Sequence, residues 1–243
     1  MDQSQTRTAI QIAKTLADEL LGVWDGKKCI EYLQKHNYQW KQMEWIGWYF
    51  EHRAKQILDA KMRGGVGPTI GNVTIDYAVN GEPWDFKAHP TKPSDGWVYL
   101  NEVEAVDTCA IQFGGIGWII AVGDAVYDTD GSFKAWHAEL KGATSEYEKD
   151  RVARGAPSRR RKCSFNCTHF LIVKVTSPEE IEQAVRANLL TARMQAGQRN
   201  ADGSSRRAKY GVHMTRATAA IGGAHMVVLR YPPNGGVQTS APS

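Results

Sequence analysis

The stretch Val73 to Lys87, VTIDYAVNGEPWDFK, constrains this chain more than any other. Two β-rich runs flank Asn80-Gly81, and an Asn-Gly pair in that setting is the strongest short-range hairpin signal. Both central residues of a type I′ turn need positive φ, which Asn and Gly tolerate. The turn sets the register: Val79 is expected opposite Glu82, Ala78 opposite Pro83, Tyr77 opposite Trp84 and Asp76 opposite Asp85. Opposed residues hold their Cβ atoms roughly 5 Å apart on one face. Lys87, two residues beyond Asp85, points to that same face. The hairpin is expected to gather two carboxylates and one ammonium on a single patch.

Carboxylates that close repel each other unless a cation lies between them. A hard divalent cation with oxygen ligands, Mg²⁺ above all, is the natural guest. The plainer reading of the same residues is an exposed hairpin whose acids face solvent, with Lys87 as an ion-pair partner.

Asp76, an eight-residue gap and then Asp85-Phe86-Lys87 resembles the PD-(D/E)XK nuclease superfamily, which includes most type II restriction endonucleases. Ile75 stands where that superfamily commonly has Pro. The resemblance covers roughly residues 40 to 125 and implies a restriction-endonuclease-like core. It implies that Asp76, Asp85 and the backbone carbonyl of Phe86 hold Mg²⁺, while Lys87 orients the attacking water. Glu51, within Trp48-Tyr49-Phe50-Glu51, corresponds to a Glu on the preceding helix and would bind a second metal or fix a water. The implied activity is Mg²⁺-dependent, sequence-specific cleavage of double-stranded DNA by a homodimer acting on palindromic sites. Two other classes stay open: a repair or recombination nuclease of the same superfamily that reads DNA structure, and a DNA-binding protein without enzymatic activity.

Helices are expected around this centre. Residues 8 to 21 carry a stripe of Ala9, Ile12, Ala13, Leu16 and Leu20 ending at Gly22, and a shorter helix covers Lys27 to His36. Residues 42 to 62 repeat Met43, Ile46, Phe50, Ala54 and Ile57 at helical spacing, with Glu51 on the flank of the stripe. The glycine-rich RGGVGPTIG at 63 to 71 reads as a connector, because it lacks the ending of a phosphate-binding loop. Residues 89 to 96 read as loop, and Asn101 as the cap of a helix running to about Phe113. Trp118 to Val122 and Phe170 to Val175 are apolar runs expected to be buried strands. A short helix spans Ser132 to Leu140, where a lone His137 is more often structural than functional. Ser177-Pro178 with Glu180 marks a capped helix start, and the stripe Ile181, Val185, Leu189, Ala192 carries that helix toward Gly197. Met226 to Tyr231 is a last strand. The whole reads as α/β, a mixed central β-sheet flanked by helices. Residues 1–231 are expected to form one domain, with a helical part at 1–40 and a catalytic core at 42–125, followed by a disordered tail at 232–243.

Composition adds limits. Hydrophobic residues at 42% and charged residues at 23% suit a soluble globular chain. No apolar run approaches the roughly 20 residues that span a bilayer. The first residues carry no apolar signal-peptide core, and four cysteines form no dense disulfide framework, so a reducing cytoplasm is the expected setting. Cys163, Cys167 and His169 offer three zinc donors but no second pair at finger spacing. The net charge of +4 is unevenly placed. Arg151, Arg154, Arg159, Arg160, Arg161 and Lys162 fall in one segment at 149–162, read as an irregular loop that follows a DNA groove. Arg206, Arg207 and Lys209 begin a second basic segment at 206–216, with a charged edge strand as the plainer reading.

Overall fold

A computed structural model describes residues 3–91, 96–142, 146–156, 160–200, 203–222 and 225–232. The chain opens with α1 (Gln3–Leu20), β1 (Gly22–Asp25), α2 (Gly26–Lys35) and α3 (Trp45–Lys61). Five strands follow: β2 (Gly64–Gly65), β3 (Thr69–Ile70), β4 (Val73–Thr74), β5 (Tyr77–Val79) and β6 (Glu82–Pro90). Next come β7 (Trp97–Glu102), α4 (Val103–Gln112), β8 (Ile116–Tyr127), α5 (Ser132–Lys141) and α6 (Glu146–Ala153). The last part holds β9 (Lys162–Val175), α7 (Pro178–Arg186), β10 (Leu190–Met194), β11 (Lys209–His213), α8 (Met214–Ala219) and β12 (Val227–Tyr231).

The architecture is a mixed central sheet flanked by helices. Seven strands run in the order β1-β9-β8-β6-β5-β2, with β12 also on β9. Only β6 and β8 pair in parallel; the other ladders of this sheet are antiparallel. β1 covers Ser164 to Cys167 of β9 and β12 covers Phe170 to Lys174, so the two lie end to end along one edge. Strand alternation builds two cores. On one face Phe86, Ile119, Phe170 and Ile172 pack against α1, α2, α3 and α5. On the other, Trp118, Ile120, Leu171 and Val173 pack against α4, α7, α8 and a small sheet ordered β10-β11-β7. Each fully buried Ile, Leu or Phe contributes about 1.5–3 kcal/mol relative to exposure. Among the described residues no helix is long and apolar enough to cross a membrane.

Local signals predict many elements. Asn80 (φ 54°) and Gly81 (φ 78°) adopt the positive φ that the turn requires, and the ladder pairs Tyr77 with Trp84, Ala78 with Pro83 and Val79 with Glu82. The α1 stripe is fully buried. Asp25 caps α2 by accepting from Lys28 N at 3.0 Å, and Ser177 caps α7 by accepting from Glu180 N at 3.3 Å. His137 is buried, with Nε2 2.9 Å from the carbonyl of Trp40, a structural role.

Behind the hairpin a buried cation ties three strands together. Trp84 pairs with Gly117 of β8, which pairs with Lys174 of β9. A Cβ at Gly117 would lie 2.2 Å from the Trp84 ring, so only glycine lets the indole lie across the sheet there. Lys174 is 1% exposed; its ammonium sits 5.4 Å from the Trp84 ring centroid and 2.8 Å from Glu82 Oε2.

Several expectations are corrected. Residues 63–71 are more than a connector, since β2 pairs with β5 and β3 with β4. β6 continues through His89 and Pro90, where a loop was expected. Asn101 is no helix cap: it lies within β7, and Glu102 precedes α4 without a side-chain cap bond. α7 ends at Arg186, Asn188 turns the backbone at φ 56°, and residues 190–194 form a strand. Their apolar spacing suits a strand as well as a helix, and pairing with β11 decides. The segment at 149–162 is not irregular throughout, because α6 reaches Ala153 and β9 begins at Lys162. β11 is the middle strand of its sheet, not an edge. Arg159 and residues 233–243 of the expected tail lie outside the described residues.

Candidate functional site

The hairpin and α3 bring Asp76, Asp85, Lys87 and Glu51 into one recess, and add Lys55 and Asn101. Asp76 does not enter the ladder opposite Asp85; it lies in a bend one residue before β5. From there its Oδ2 accepts the Phe86 amide N–H at 2.8 Å, so the acid closes a backbone donor of β6. Phe86 thus contributes to the recess through its main chain, while its ring packs in the opposite core.

Asp85 and Lys87 are two apart on β6 and share a face, and the ammonium of Lys87 contacts Asp85 Oδ1. The other oxygen, Oδ2, accepts from Asn101 Nδ2 at 2.5 Å. Asn101 is oriented by Trp118, whose indole Nε1 donates to Asn101 Oδ1 at 2.9 Å. Glu51 and Lys55, one turn apart on α3, pair at 2.6 Å, and Lys55 Nζ lies 3.5 Å from Asp76 Oδ1. Tyr38 donates to Glu51 Oε1 at 2.5 Å. The two aspartates therefore share a pattern: Oδ2 is anchored to the scaffold, and Oδ1 faces an ammonium.

Burial sorts these groups by charge. The Asp85 side chain is 3% exposed and those of Asp76 and Glu51 are 13% and 14%, while Lys55 and Lys87 are 27% and 26%. The lysines cover the acids. Burial pushes the Asp76 carboxyl above its ordinary value and the nearby Glu51 charge adds to it; Lys87, Lys55 and the Phe86 amide oppose. Burial also pulls the Lys87 ammonium down, helped by Lys209 and Lys55 and opposed by Asp76 and Glu51. Burial and the bond to Glu51 push the Tyr38 hydroxyl well up, so it stays a donor.

Among the described residues, no three or more His, Cys, Asp and Glu side chains are grouped so as to hold a metal ion. The donor chemistry of the recess nevertheless fits a hard cation. Its donors are carboxylate oxygens, and both Oδ1 atoms already face positive charge. Cys163, Cys167 and His169 lie along β9; burial lifts the Cys167 thiol to about 12 and lowers His169 to about 4, leaving a protonated thiol and a neutral imidazole.

The two basic segments part company. Lys209 lies close enough for its charge to act on Lys87. Arg207 pairs with Glu102 at 2.8 Å, and Arg206 is exposed. Arg151 forks onto Glu148 at 2.9 and 2.7 Å, Arg154 Nε donates to the Asp150 carbonyl at 3.3 Å, and Arg161 is half-buried, while Arg160 is exposed. Lys162 pairs with Tyr127, seven residues along β8 from the partner of Lys87. That separation is roughly 20 Å of strand.

Lys55, Asn101 and Tyr38 escaped the reading of the sequence. Lys55 had a usable signal, lying one helical turn beyond Glu51. No family model matches this chain, and no curated protein or solved structure matches it either.

Proposed function

We propose that this chain is a Mg²⁺-dependent endonuclease that hydrolyses phosphodiester bonds in double-stranded DNA, with a restriction-endonuclease-like core. The observation that carries the reading is the shared pattern of Asp76 and Asp85, each with Oδ2 anchored and Oδ1 turned to an ammonium in one recess. A surface hairpin would leave its acids solvated, whereas here they are recessed and clustered. The PD-(D/E)XK resemblance of Asp76, Asp85 and Lys87 supports the same reading.

Asp76, Asp85 and the Phe86 carbonyl would hold the ion, with Glu51 at a second ion or a water. Mg²⁺, when bound, supplies charge neutralisation at the phosphate and a more acidic water. Lys87 holds a proton at Nζ with its ammonium character weakened by burial. It donates to the attacking water or a phosphate oxygen as negative charge develops. Lys55 keeps Glu51 and Asp76 together, and Asn101 fixes the plane of Asp85. The working form is a homodimer on palindromic duplex, as the resemblance implies, in a cytoplasmic restriction role.

Purified protein incubated with sequenced phage DNA and Mg²⁺ tests this directly. Discrete fragments are the expected result. Cutting of branched substrates alone would point to a repair or recombination nuclease, and absence of metal-dependent cutting would refute the enzyme reading.

A further inference from the structure

Beside the carboxylate recess lies an open cleft of ≈ 490 Å³ in which every lining residue is polar or charged. Its lining includes β7 and β11, where Lys209 pairs with Glu102. Residues 195–200 and 203–207 supply further lining residues and are joined to each other by hydrogen bonds. Arg199 bridges to Ser205, Asn200 N donates to the Ser204 carbonyl at 2.8 Å, and Arg206 N donates to the Gln198 carbonyl at 2.8 Å. Arg199 Nη1 also donates to the Gly203 carbonyl at 2.8 Å. The cleft wall is thus braced by its own bonds.

The chemistry of the lining selects a ligand class. Arg206, Arg207 and Lys209 face a single acid, Glu102, which Arg207 engages. Arg206 and Lys209 remain to attract an anion, and the carboxamides of Gln195 and Asn200 supply donors and acceptors, with Asn200 Nδ2 donating one hydrogen to Ser204 Oγ at 3.0 Å. Phosphates and hydrogen-bonding base edges match this lining, since carboxamides pair with adenine and basic side chains with phosphate. The cleft also adjoins the recess, since Lys209 of its lining lies close enough for its charge to act on Lys87.

We propose that the residues lining this cleft contact the duplex beside the scissile phosphate, with Arg206 and Lys209 on phosphates and Gln195 and Asn200 on base edges. The assignment rests on the nuclease reading and moves recognition from the 149–162 segment to the residues lining the cleft. The test is binding of wild type, Arg206→Ala, Asn200→Ala and Gln195→Ala to the duplex that wild type cuts and to a scrambled duplex, in Ca²⁺ across a salt series. Each variant is first shown to melt like wild type. Arg206→Ala is expected to weaken both duplexes and lower the salt slope by about one. Asn200→Ala or Gln195→Ala is expected to cost about tenfold or more on the cut duplex and little on the scrambled one. If wild type cuts DNA and all three variants bind both duplexes unchanged, the cleft assignment fails and the nuclease reading stands. If the carboxamide variants weaken both duplexes equally, base reading by this cleft is overturned. If wild type neither binds nor cuts duplex DNA, both fall together.

Discussion

Asn101 holds the inner oxygen of Asp85 at 2.5 Å across the two sheets, and both side chains are buried. Trp118 closes the chain by donating to Asn101. The sheet carrying β7 is thereby tied to the strand carrying the candidate centre. Asn101→Ala strands two buried polar groups, Asp85 Oδ2 and Trp118 Nε1. It is expected to cost about 1–3 kcal/mol of stability and to lower cleavage as well. Urea unfolding measures the first and a timed digest the second; an unchanged midpoint would show that water replaces the amide.

Removing an acid tests the centre itself. Asp76→Ala and Asp85→Ala are each expected to abolish Mg²⁺-dependent cleavage while leaving duplex binding in Ca²⁺ largely intact, since loss of a carboxylate also relieves repulsion of phosphate. A variant that cuts near the wild-type rate would remove the hairpin from the chemistry.

Lys87→Ala is expected to slow cleavage by at least about 100-fold, the lower range for losing a positioned proton-transfer or electrostatic group. Single-turnover digests read this without interference from product release. Little change would leave Asp85 as a possible ligand and take Lys87 out of the mechanism.

Asp76 makes a pH prediction. Its folded pKa is raised above the ordinary carboxylate value of 3.8, mainly by burial. Between the unfolded and folded values the native state binds the extra proton, so stability falls as pH rises through that window and stays lower above it. Asp76→Asn mimics the protonated form and keeps an acceptor for Phe86 N. Without Mg²⁺ it is expected to melt higher than wild type at neutral pH, with the gap closing as pH falls toward 3.8. Mg²⁺ is expected to raise wild-type melting and leave Asp76→Asn nearly unmoved. Parallel melting curves across pH would contradict the buried-charge account.

The Lys174–Glu82 pair predicts non-additivity. Glu82→Ala leaves an uncompensated ammonium that is 1% exposed as a residue, a loss of about 3–5 kcal/mol. Lys174→Met combined with Glu82→Leu is expected to recover most of it, because removing both charges spares their desolvation. Denaturant midpoints of the two single variants and the double variant complete the cycle, and simple additivity would rule the coupling out.

What could be read along the chain was local. The Asn80-Gly81 turn, the α1 stripe, the cap of α7 and the apolar runs of β8 and β9 follow from φ preferences, period and first-turn hydrogen bonds. Those interactions span at most a few residues, so their signals sit in contiguous sequence. The hairpin register followed for the same reason, and with it the neighbourhood of Asp85 and Lys87.

Tertiary structure decided the rest. Asn101 carries a helix-cap signature, yet it belongs to β7 because pairing with β11, more than 100 residues later, outweighs a cap bond. Asp76 left the ladder, and its carboxylate, not a backbone carbonyl of the facing strand, accepts the Phe86 amide. Lys55 joined the recess only when α3 packed over β6. The sequence by itself determined the turns, the helix faces and the acids on one hairpin, since each depends on neighbours in the chain. Which strands meet, which lysines cover the acids and which basic segment lies beside them were settled by burying two faces of one sheet at once, a constraint no short segment contains.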